Sequence, residues 1–194
     1  MSKLTIRKIA FTGGPNSAKS SIIKIAKETF GEQVSVAKEA ATILFAGGYP
    51  RKDDSPAHVE QAQKIIYYMI EQLEELEERT SDAKVMLCDR FTLDGFAFWP
   101  SGLEGFLKAN GNSSLEKEFA KYFAIVHLPS PSDPKCYCGN NTTRTEDVSE
   151  SLAIDKRIYD VCKKHPNFYK IENANDYKNK TEQVLEIITD VLKN

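Results

Sequence analysis

The stretch Phe11-Thr-Gly-Gly-Pro-Asn-Ser-Ala-Lys-Ser20 decides the fold. It follows the apolar run 8–11 and leads into the segment 22–30, whose apolar residues have helical spacing. A strand, a Gly-rich turn, Lys-Ser and a helix form the phosphate-binding loop (P-loop, or Walker A) pattern Gly-x-x-x-x-Gly-Lys-Ser/Thr. Gly13 is the first glycine of this pattern and Ala18 replaces the second. The sequence therefore predicts a P-loop that binds the phosphates of a nucleotide.

The residue types of the loop suit this chemistry. Glycines let backbone N–H groups approach an anion without a Cβ in the way, and the positive end of the following helix points at the same place. Lys19 would reach the β- and γ-phosphates, and the Ser20 hydroxyl would bind Mg²⁺. The methyl group of Ala18 is tolerated if the backbone there is near helical values, which alanine favours. The predicted nucleotide-binding residues are Gly13, Gly14, Pro15, Asn16, Ser17, Ala18, Lys19, Ser20 and Ser21.

Length and composition exclude several classes of protein. The 194 residues favour one domain, and contents of 41% hydrophobic and 28% charged residues are ordinary for a soluble globular chain. A net charge of −2 provides no overall basic field for nucleic acid. We expect neither a transmembrane segment nor a secretory signal, because no apolar run is long enough. Four cysteines are too few for a disulfide scaffold, which favours a cytoplasmic location.

Strand and helix patterns alternate along the chain. Strands are predicted over 7–12, 34–37, 84–89, 122–128 and 167–171, and helices over 19–30, 37–46, 57–79, 115–121, 149–164 and 181–193. This alternation predicts an α/β fold of three layers, in which a five-stranded parallel sheet is flanked by helices. Ligands of such sheets bind beyond the carboxyl ends of the strands, where residues 13–20, 89–94 and 129–148 all fall.

Further candidate site residues follow the third predicted strand. Asp89 would hold Mg²⁺ or take a proton from an acceptor hydroxyl, or it would simply cap the next helix. Arg90 would stabilise charge on the phosphoryl group, or pair with Asp89. Asp94 lies one helical turn further and would contact the acceptor, unless it is a surface carboxylate.

Two more candidates lie elsewhere at the predicted carboxyl edge. Glu39 follows the second strand and could hydrogen-bond a substrate hydroxyl, although from the residue alone an ordinary helix Glu is the more common interpretation. Arg144 lies in the polar excursion 129–148, which is rich in Pro, Gly and Asn. An arginine in a lid can be brought onto the transferring phosphoryl group at closure, but exposed loop arginines are common.

Two other patterns leave alternatives open. Cys136, Cys138, Cys162 and His165 form a zinc-capable set, although the spacing of the first pair is short and separate thiols are the simpler interpretation. The acidic run 71–78 of the long third helix is interpreted as a solvated face; a surface for a basic partner is the alternative. His127, at a strand end, is interpreted as structural.

With these residues in hand, the chain resembles a family of small AAA-like, nucleoside-kinase-like P-loop proteins. The family includes the ribosylnicotinamide kinase domain of a bacterial NAD-salvage protein and an animal GTP- and phosphoinositide-binding trafficking protein. The matching motifs are Phe-Thr-Gly-Gly-Pro at 11–15 with Ala-Lys-Ser at 18–20, Val-Ala-Lys-Glu-Ala-Ala at 36–41, Leu-Cys-Asp-Arg at 87–90 and Thr-Arg-Thr-Glu at 143–146. The resemblance spans about residues 7–190 and implies a nucleoside-kinase-like fold with a lid at about 129–148.

The resemblance also implies roles for individual residues. Lys19 and Ser20 would contact the nucleotide and the metal. Asp89 would act as the base, and Arg90 would bind phosphate or acceptor. The chain departs from the family pattern at Ala18, where glycine is usual, and beside Glu39, where Pro and Arg are common in related chains.

We therefore carry two main hypotheses from the sequence. The first is an enzyme, a Mg²⁺-dependent kinase that transfers the γ-phosphoryl group of ATP or GTP to a small nucleoside-like acceptor. The second is a nucleotide-dependent switch with slow hydrolysis and a protein or lipid partner. A zinc-stabilised structural protein is a third alternative. The sequence does not choose between ATP and GTP, and it names no acceptor, protein partner or oligomeric state.

Overall fold

The fold is built on a five-stranded parallel sheet. In the computed structural model, which describes residues 5–51, 55–133, 148–172 and 175–193, all paired strands run parallel in the order β2-β3-β1-β4-β5. The strands are β1 Arg7–Thr12, β2 Val34–Ala37, β3 Val85–Asp89, β4 Ala124–His127 and β5 Phe168–Lys170. The predicted sheet is therefore confirmed in strand number and direction.

Seven α-helices connect and cover the described strands. They are α1 Lys19–Phe30, α2 Ala40–Ala46, α3 Pro56–Thr80, α4 Gly102–Ala109, α5 Leu115–Phe119, α6 Val148–Cys162 and α7 Tyr177–Lys193. Two 3₁₀ segments, Gly31–Gln33 and Thr92–Phe98, lie between them. None of the described helices is both long and apolar enough to cross a membrane.

Alternating residues of the central strand divide the core into two layers. Ile9 and Phe11 of β1 pack in a cluster with apolar residues of α1 and α7, whereas Ala10 lies in a second cluster with residues of α3, α4 and α6. Side chains of a strand point to opposite faces in turn, so a strand buried on both sides is apolar throughout. The predicted three-layer α/β architecture follows from this arrangement.

The structure corrects several details of the predicted elements. Helix α4 was not predicted, because Gly102 and Gly105 have low helix propensity. It forms because Phe106 is fully buried against the ring of Trp99, with centroids 5.5 Å apart. Helix α2 begins at Ala40 rather than at residue 37, and α7 begins at Tyr177 rather than at residue 181.

The acidic run of α3 is not uniformly solvated, as the sequence had suggested. Glu74 is buried, and its carboxylate accepts hydrogen bonds from Lys8 Nζ at 3.1 Å and from the Tyr122 hydroxyl at 2.7 Å. Burial raises the pKa of Glu74, and Lys8 opposes that rise. This residue of the run therefore anchors α3 to the sheet and is not part of a solvated face.

The strand order brings the candidate residues to one edge. β1 lies between β3 and β4, with Phe11 opposite Asp89 and Thr12 opposite His127. The carboxyl ends of these three strands are therefore neighbours, at the edge where ligands of parallel sheets bind. Most of the predicted lid at 129–148 lies outside the described residues, because residues 134–147, which include Cys136, Cys138 and Arg144, are not among them.

Candidate active site

Lys19 is the buried cation of the phosphate loop. Its Nζ donates hydrogen bonds to the carbonyl oxygens of Gly13 at 3.1 Å and Gly14 at 2.9 Å, and to Ser17 Oγ at 2.7 Å. The side chain is only 4% exposed. Burial, followed by the nearby positive charge of Arg90, lowers the pKa of Lys19 to about 7. An anion bound beside Lys19 would strongly stabilise the charged form of its ammonium group.

The two glycines at the start of the loop are required by close packing. Gly13 has a φ of +130°, and a Cβ there would come within 2.0 Å of the Leu128 carbonyl oxygen. A Cβ on Gly14 would come within 2.4 Å of Ser130 Oγ and 2.7 Å of the Ser151 carbonyl oxygen. The loop backbone therefore packs directly on the end of β4 and on α6, as only glycine permits.

Ala18 does not have the helical backbone that the sequence had suggested. Its φ and ψ are 68° and 18°, the left-handed conformation. This conformation costs an L-residue other than glycine about 1–2 kcal/mol, because the Cβ crowds a backbone oxygen. The second glycine of the P-loop pattern thus has a steric reason, and in this chain the alanine that replaces it has a strained conformation.

Three side chains that the sequence analysis did not identify hold the loop backbone. Ser130 Oγ donates to the Pro15 carbonyl oxygen at 2.7 Å, and Lys180 Nζ donates to the Ser17 carbonyl oxygen at 3.1 Å. The Gly14 N–H donates to Asp155 Oδ1 at 2.7 Å.

One sequence signal could have found Lys180. It occupies the buried stripe of α7 together with Val184, Ile188 and Val191, where a lysine is out of place. Ser130 and Asp155 belong to no local motif.

Asp89 lies at the carboxyl end of β3 and is 7% exposed. Its Oδ1 is buried and has no hydrogen-bond partner among the described residues. Burial, and then the charge of Glu39, raises the pKa of Asp89, while a hydrogen bond from Ser20 and the charge of Lys19 oppose the rise. Buried polar atoms are nearly always paired, so an orphaned carboxylate oxygen indicates a site for a ligand.

The residues present fit a magnesium ion. Mg²⁺ prefers oxygen ligands and is bound in proteins by one or two carboxylates together with phosphate oxygens and water. The Oδ1 atom of Asp89 has no hydrogen-bond partner among the described residues, and Ser20 is close enough to affect the pKa of Asp89 by hydrogen bonding. Ser20 and Asp89 thus form a suitable pair of ligands beside the phosphate loop.

Arg90 connects three elements at the site. Its Nη1 donates to the Gly13 carbonyl oxygen at 2.7 Å and to Asp94 Oδ2 at 3.1 Å, and its Nε lies 3.4 Å from Glu39 Oε1. Burial alone would lower the pKa of Arg90, but Asp94 and Glu39 together raise it. The guanidinium is therefore charged and orients both the loop and Glu39.

Asp94 is buried in contact with Arg90 and is not at the protein surface. One carboxylate oxygen accepts from the Thr12 hydroxyl and the other from Arg90. Burial raises the pKa of Asp94, and Arg90 opposes that rise. In this geometry Asp94 orients the arginine, and its predicted contact with the acceptor stays a prediction.

A cavity of about 480 Å³ opens beside these groups. The residues that line it are Ser20, Thr42, Glu39 and Asp89, the apolar Ile23, Val36 and Ile43, and the charged Lys24, Lys27, Glu28 and Lys38. Small-molecule sites commonly have volumes of about 300–1,000 Å³, with mostly apolar walls and a few polar groups. The cavity thus has the volume of a metabolite site, and its wall combines apolar side chains with charged and hydroxyl groups.

The described residues give no support for a zinc site. They contain no group of three His, Cys, Asp or Glu residues that could hold a metal ion. Both ring nitrogens of His165 contact the backbone: Nε2 lies 3.2 Å from the Tyr122 carbonyl oxygen, and Nδ1 accepts from the Asn167 N–H at 3.1 Å. Cys162 is a buried free thiol. His127, predicted to be structural, lies 3.2 Å from Asp155 Oδ1.

Comparisons with known proteins agree with the fold. A family model named AAA_28, described as an AAA domain, matches residues 8–180. Two solved structures of deoxyadenosine kinase from M. mycoides are similar in fold. The one with bound dATP has a TM-score of 0.65 at 15% identity, and the one with the products dCMP and dCDP has a TM-score of 0.63 at 14% identity. Each alignment covers 94% of this chain and 99% of the other chain. No curated protein matches the sequence.

Proposed function

Because the chain belongs to the AAA_28 family of AAA domains and has the fold of P-loop nucleoside kinases, we propose that it is a phosphotransferase. It transfers the γ-phosphoryl group of ATP or GTP to a hydroxyl group of a small, nucleoside-like metabolite, with Mg²⁺ bound. The acceptor oxygen forms a bond to the γ-phosphorus as the bond to the nucleoside diphosphate breaks.

One observation carries this proposal: Ser20, Glu39 and Asp89 converge on a single cavity beside Lys19. A protein that only held a nucleotide would need Lys19 and Ser20 on the phosphates. It would need Asp89 for Mg²⁺, but it would not need a further carboxylate, Glu39, beside a metabolite-sized cavity. Carboxylates close to the transferring group are what an acceptor hydroxyl requires for orientation and proton removal.

The proposed roles follow from the contacts. Lys19 neutralises the β- and γ-phosphates, and Ser20 and Asp89 hold Mg²⁺, which supplies positive charge to the transferring phosphoryl group. A carboxylate bound to Mg²⁺ is a weak base, so proton removal by Asp89 is the alternative to its metal role; the raised pKa of the metal-free carboxylate suits that alternative. Glu39, oriented by Arg90, hydrogen-bonds the acceptor. A contribution of Arg144 to charge stabilisation stays a prediction.

Nucleoside-like acceptors are favoured for two reasons. The similar solved structures are named as deoxyadenosine kinase. The motifs at 36–41 and 87–90 resemble those of a family that includes a ribosylnicotinamide kinase domain. Deoxynucleosides and nicotinamide riboside are therefore the first acceptors to test.

The test is nucleoside diphosphate release from ATP and from GTP in the presence of Mg²⁺, first without acceptor and then with a panel of nucleosides. We expect at least tenfold stimulation by one acceptor, absent in Lys19→Ala. The variant Lys156→Ala, which alters an exposed lysine of α6, serves as a matched control. Tight nucleotide binding with a slow, acceptor-independent rate would contradict the kinase proposal and favour the nucleotide-dependent switch.

A further inference from the structure

A second lysine lies buried behind the phosphate loop. Lys180 of α7 is 2% exposed, and its Nζ donates hydrogen bonds to the carbonyl oxygens of Ser17 at 3.1 Å and Pro129 at 3.0 Å. Lysine is almost never fully buried, because removing its charge from water is unfavourable. The position of this ammonium against the loop backbone therefore needs a reason beyond packing.

The loop carbonyls point in two directions. The Gly13 and Gly14 carbonyls face Lys19, whereas the Ser17 carbonyl faces Lys180. In a planar trans peptide, the C=O and the following N–H point in opposite directions. The peptide between Gly13 and Gly14 illustrates this, because its C=O accepts from Lys19 while its N–H donates to Asp155.

The same rule fixes the direction of the Ala18 amide. Because the Ser17 carbonyl points at Lys180, the N–H of Ala18 points away from the Lys180 ammonium. Ala18 keeps this orientation in a left-handed conformation that disfavours alanine. Strained backbone persists only where surrounding contacts determine it.

We propose that Lys180 is a positioning residue for phosphate binding. It holds the peptide between Ser17 and Ala18 so that the Ala18 amide faces the nucleotide, and in this way it allows alanine to occupy a position that otherwise suits glycine. The inference rests on the proposed nucleotide binding and adds a residue of the C-terminal helix to it.

The first test compares the ATP affinity of Lys180→Met and Lys178→Met, measured with a fluorescent ATP analogue in the presence of Mg²⁺. Lys178 lies on the same helix, but its side chain is 87% exposed and pairs with Glu182. We expect Lys180→Met to weaken binding at least tenfold and Lys178→Met to change it less than twofold. Thermal melting of each variant identifies loss of folding, and Lys180→Gln replaces Lys180→Met if the latter does not fold.

The second test repeats the lysine substitution in an Ala18→Gly background. Glycine adopts the left-handed conformation without strain, so the loss caused by Lys180→Met should shrink to less than threefold. A role in overall stability or in the general electrostatic field would give the same loss in both backgrounds, and that result would overturn the inference. Unchanged affinity in Lys180→Met would also overturn it. Wild-type protein that binds no nucleotide would instead contradict the proposed function itself.

Discussion

The substitution Asp89→Asn is expected to abolish phosphoryl transfer and at the same time to stabilise the folded protein. Asparagine keeps the shape of the side chain and removes its charge. In the wild type this carboxylate is buried, its Oδ1 has no hydrogen-bond partner among the described residues, and burial and Glu39 raise its pKa. A charge in such surroundings lowers the stability of the fold.

Proton linkage determines the sign and the pH dependence of the change in stability that Asp89→Asn causes. The pKa of Asp89 is higher in the folded than in the unfolded protein, so its contribution to stability is complete below about pH 4 and is lost as the pH rises through the folded-state pKa. The Asp89→Asn variant has no such loss, because its amide does not titrate. We expect the free energy of unfolding at pH 7 to rise by about 0.5–2 kcal/mol. The melting temperature rises by about 2–4 °C per kcal/mol for a chain of this size.

Glu118 provides a matched control, because its substitution should change the free energy of unfolding in the opposite direction. It is fully buried, but its carboxylate accepts from Lys121 Nζ at 2.7 Å and from the Thr92 hydroxyl at 2.6 Å. Burial opposes ionisation, yet the hydrogen bond from Lys121 and those from hydroxyl groups lower the pKa of Glu118 overall. Its contribution to stability is therefore present above the unfolded pKa and lost as the pH falls through the folded value. Glu118→Gln should lower the free energy of unfolding by about 1.5–3 kcal/mol at pH 7.

Two measurements on the same preparations test this prediction. Urea unfolding at pH 7 and at pH 4.5 gives the stability of each variant, and nucleoside diphosphate release gives transfer. For Asp89→Asn we expect transfer to fall at least about 100-fold, with a stability gain that shrinks at the lower pH. Destabilisation by Asp89→Asn at pH 7 would refute the inference that the buried charge of Asp89 lowers the stability of the fold. Unchanged transfer would refute its role in the reaction.

Three further predictions test the loop and the metal. The pKa of Lys19 is about 7, and a bound polyphosphate raises it, so nucleotide binding should take up a proton. Nucleotide affinity should therefore fall by up to about tenfold per pH unit above pH 7. Calorimetry in buffers of different ionisation enthalpy measures the proton uptake, which Lys19→Arg should lack. Gly13→Ala places a Cβ 2.0 Å from the Leu128 carbonyl oxygen and should destabilise the protein by more than about 3 kcal/mol in urea unfolding, whereas Gly111→Ala, in open space, should cost about 1 kcal/mol. EDTA should abolish transfer and added Mg²⁺ should restore it; transfer that persists in EDTA would exclude a metal role for Ser20 and Asp89.

The features that the sequence predicted well are those with local signals. The apolar run before Gly13, the helical spacing after Lys19 and the continuous apolar strand that ends at Asp89 each identify their element without reference to the rest of the chain. Alternation of strands and helices then predicts a parallel sheet, whose carboxyl ends share one edge. The meeting of Glu39, Asp89 and Arg90 follows from that topology.

The features that the sequence missed depend on contacts between distant residues. Ala18 was expected near helical values, but its left-handed backbone follows from a loop held by Lys180, which lies 163 positions further along the chain than Ser17. Glu74 was interpreted as part of a solvated face because its neighbours are acidic, and only the folded chain brings Lys8 and Tyr122 to it. Neither propensity nor periodicity carries such information.

Contacts within the protein hold strained backbone positions of the site. Besides Ala18, Arg90 has a positive φ, 83°, and is held there by hydrogen bonds to Gly13, Asp94 and Glu39. These contacts lie within the protein, so the loop is ordered before a nucleotide arrives and binding does not have to order it. Loss of a cation that holds the loop should therefore appear mainly as weaker nucleotide affinity. Loss of Asp89 should appear mainly as a slower transfer step, because its Oδ1 makes no hydrogen bond to the loop.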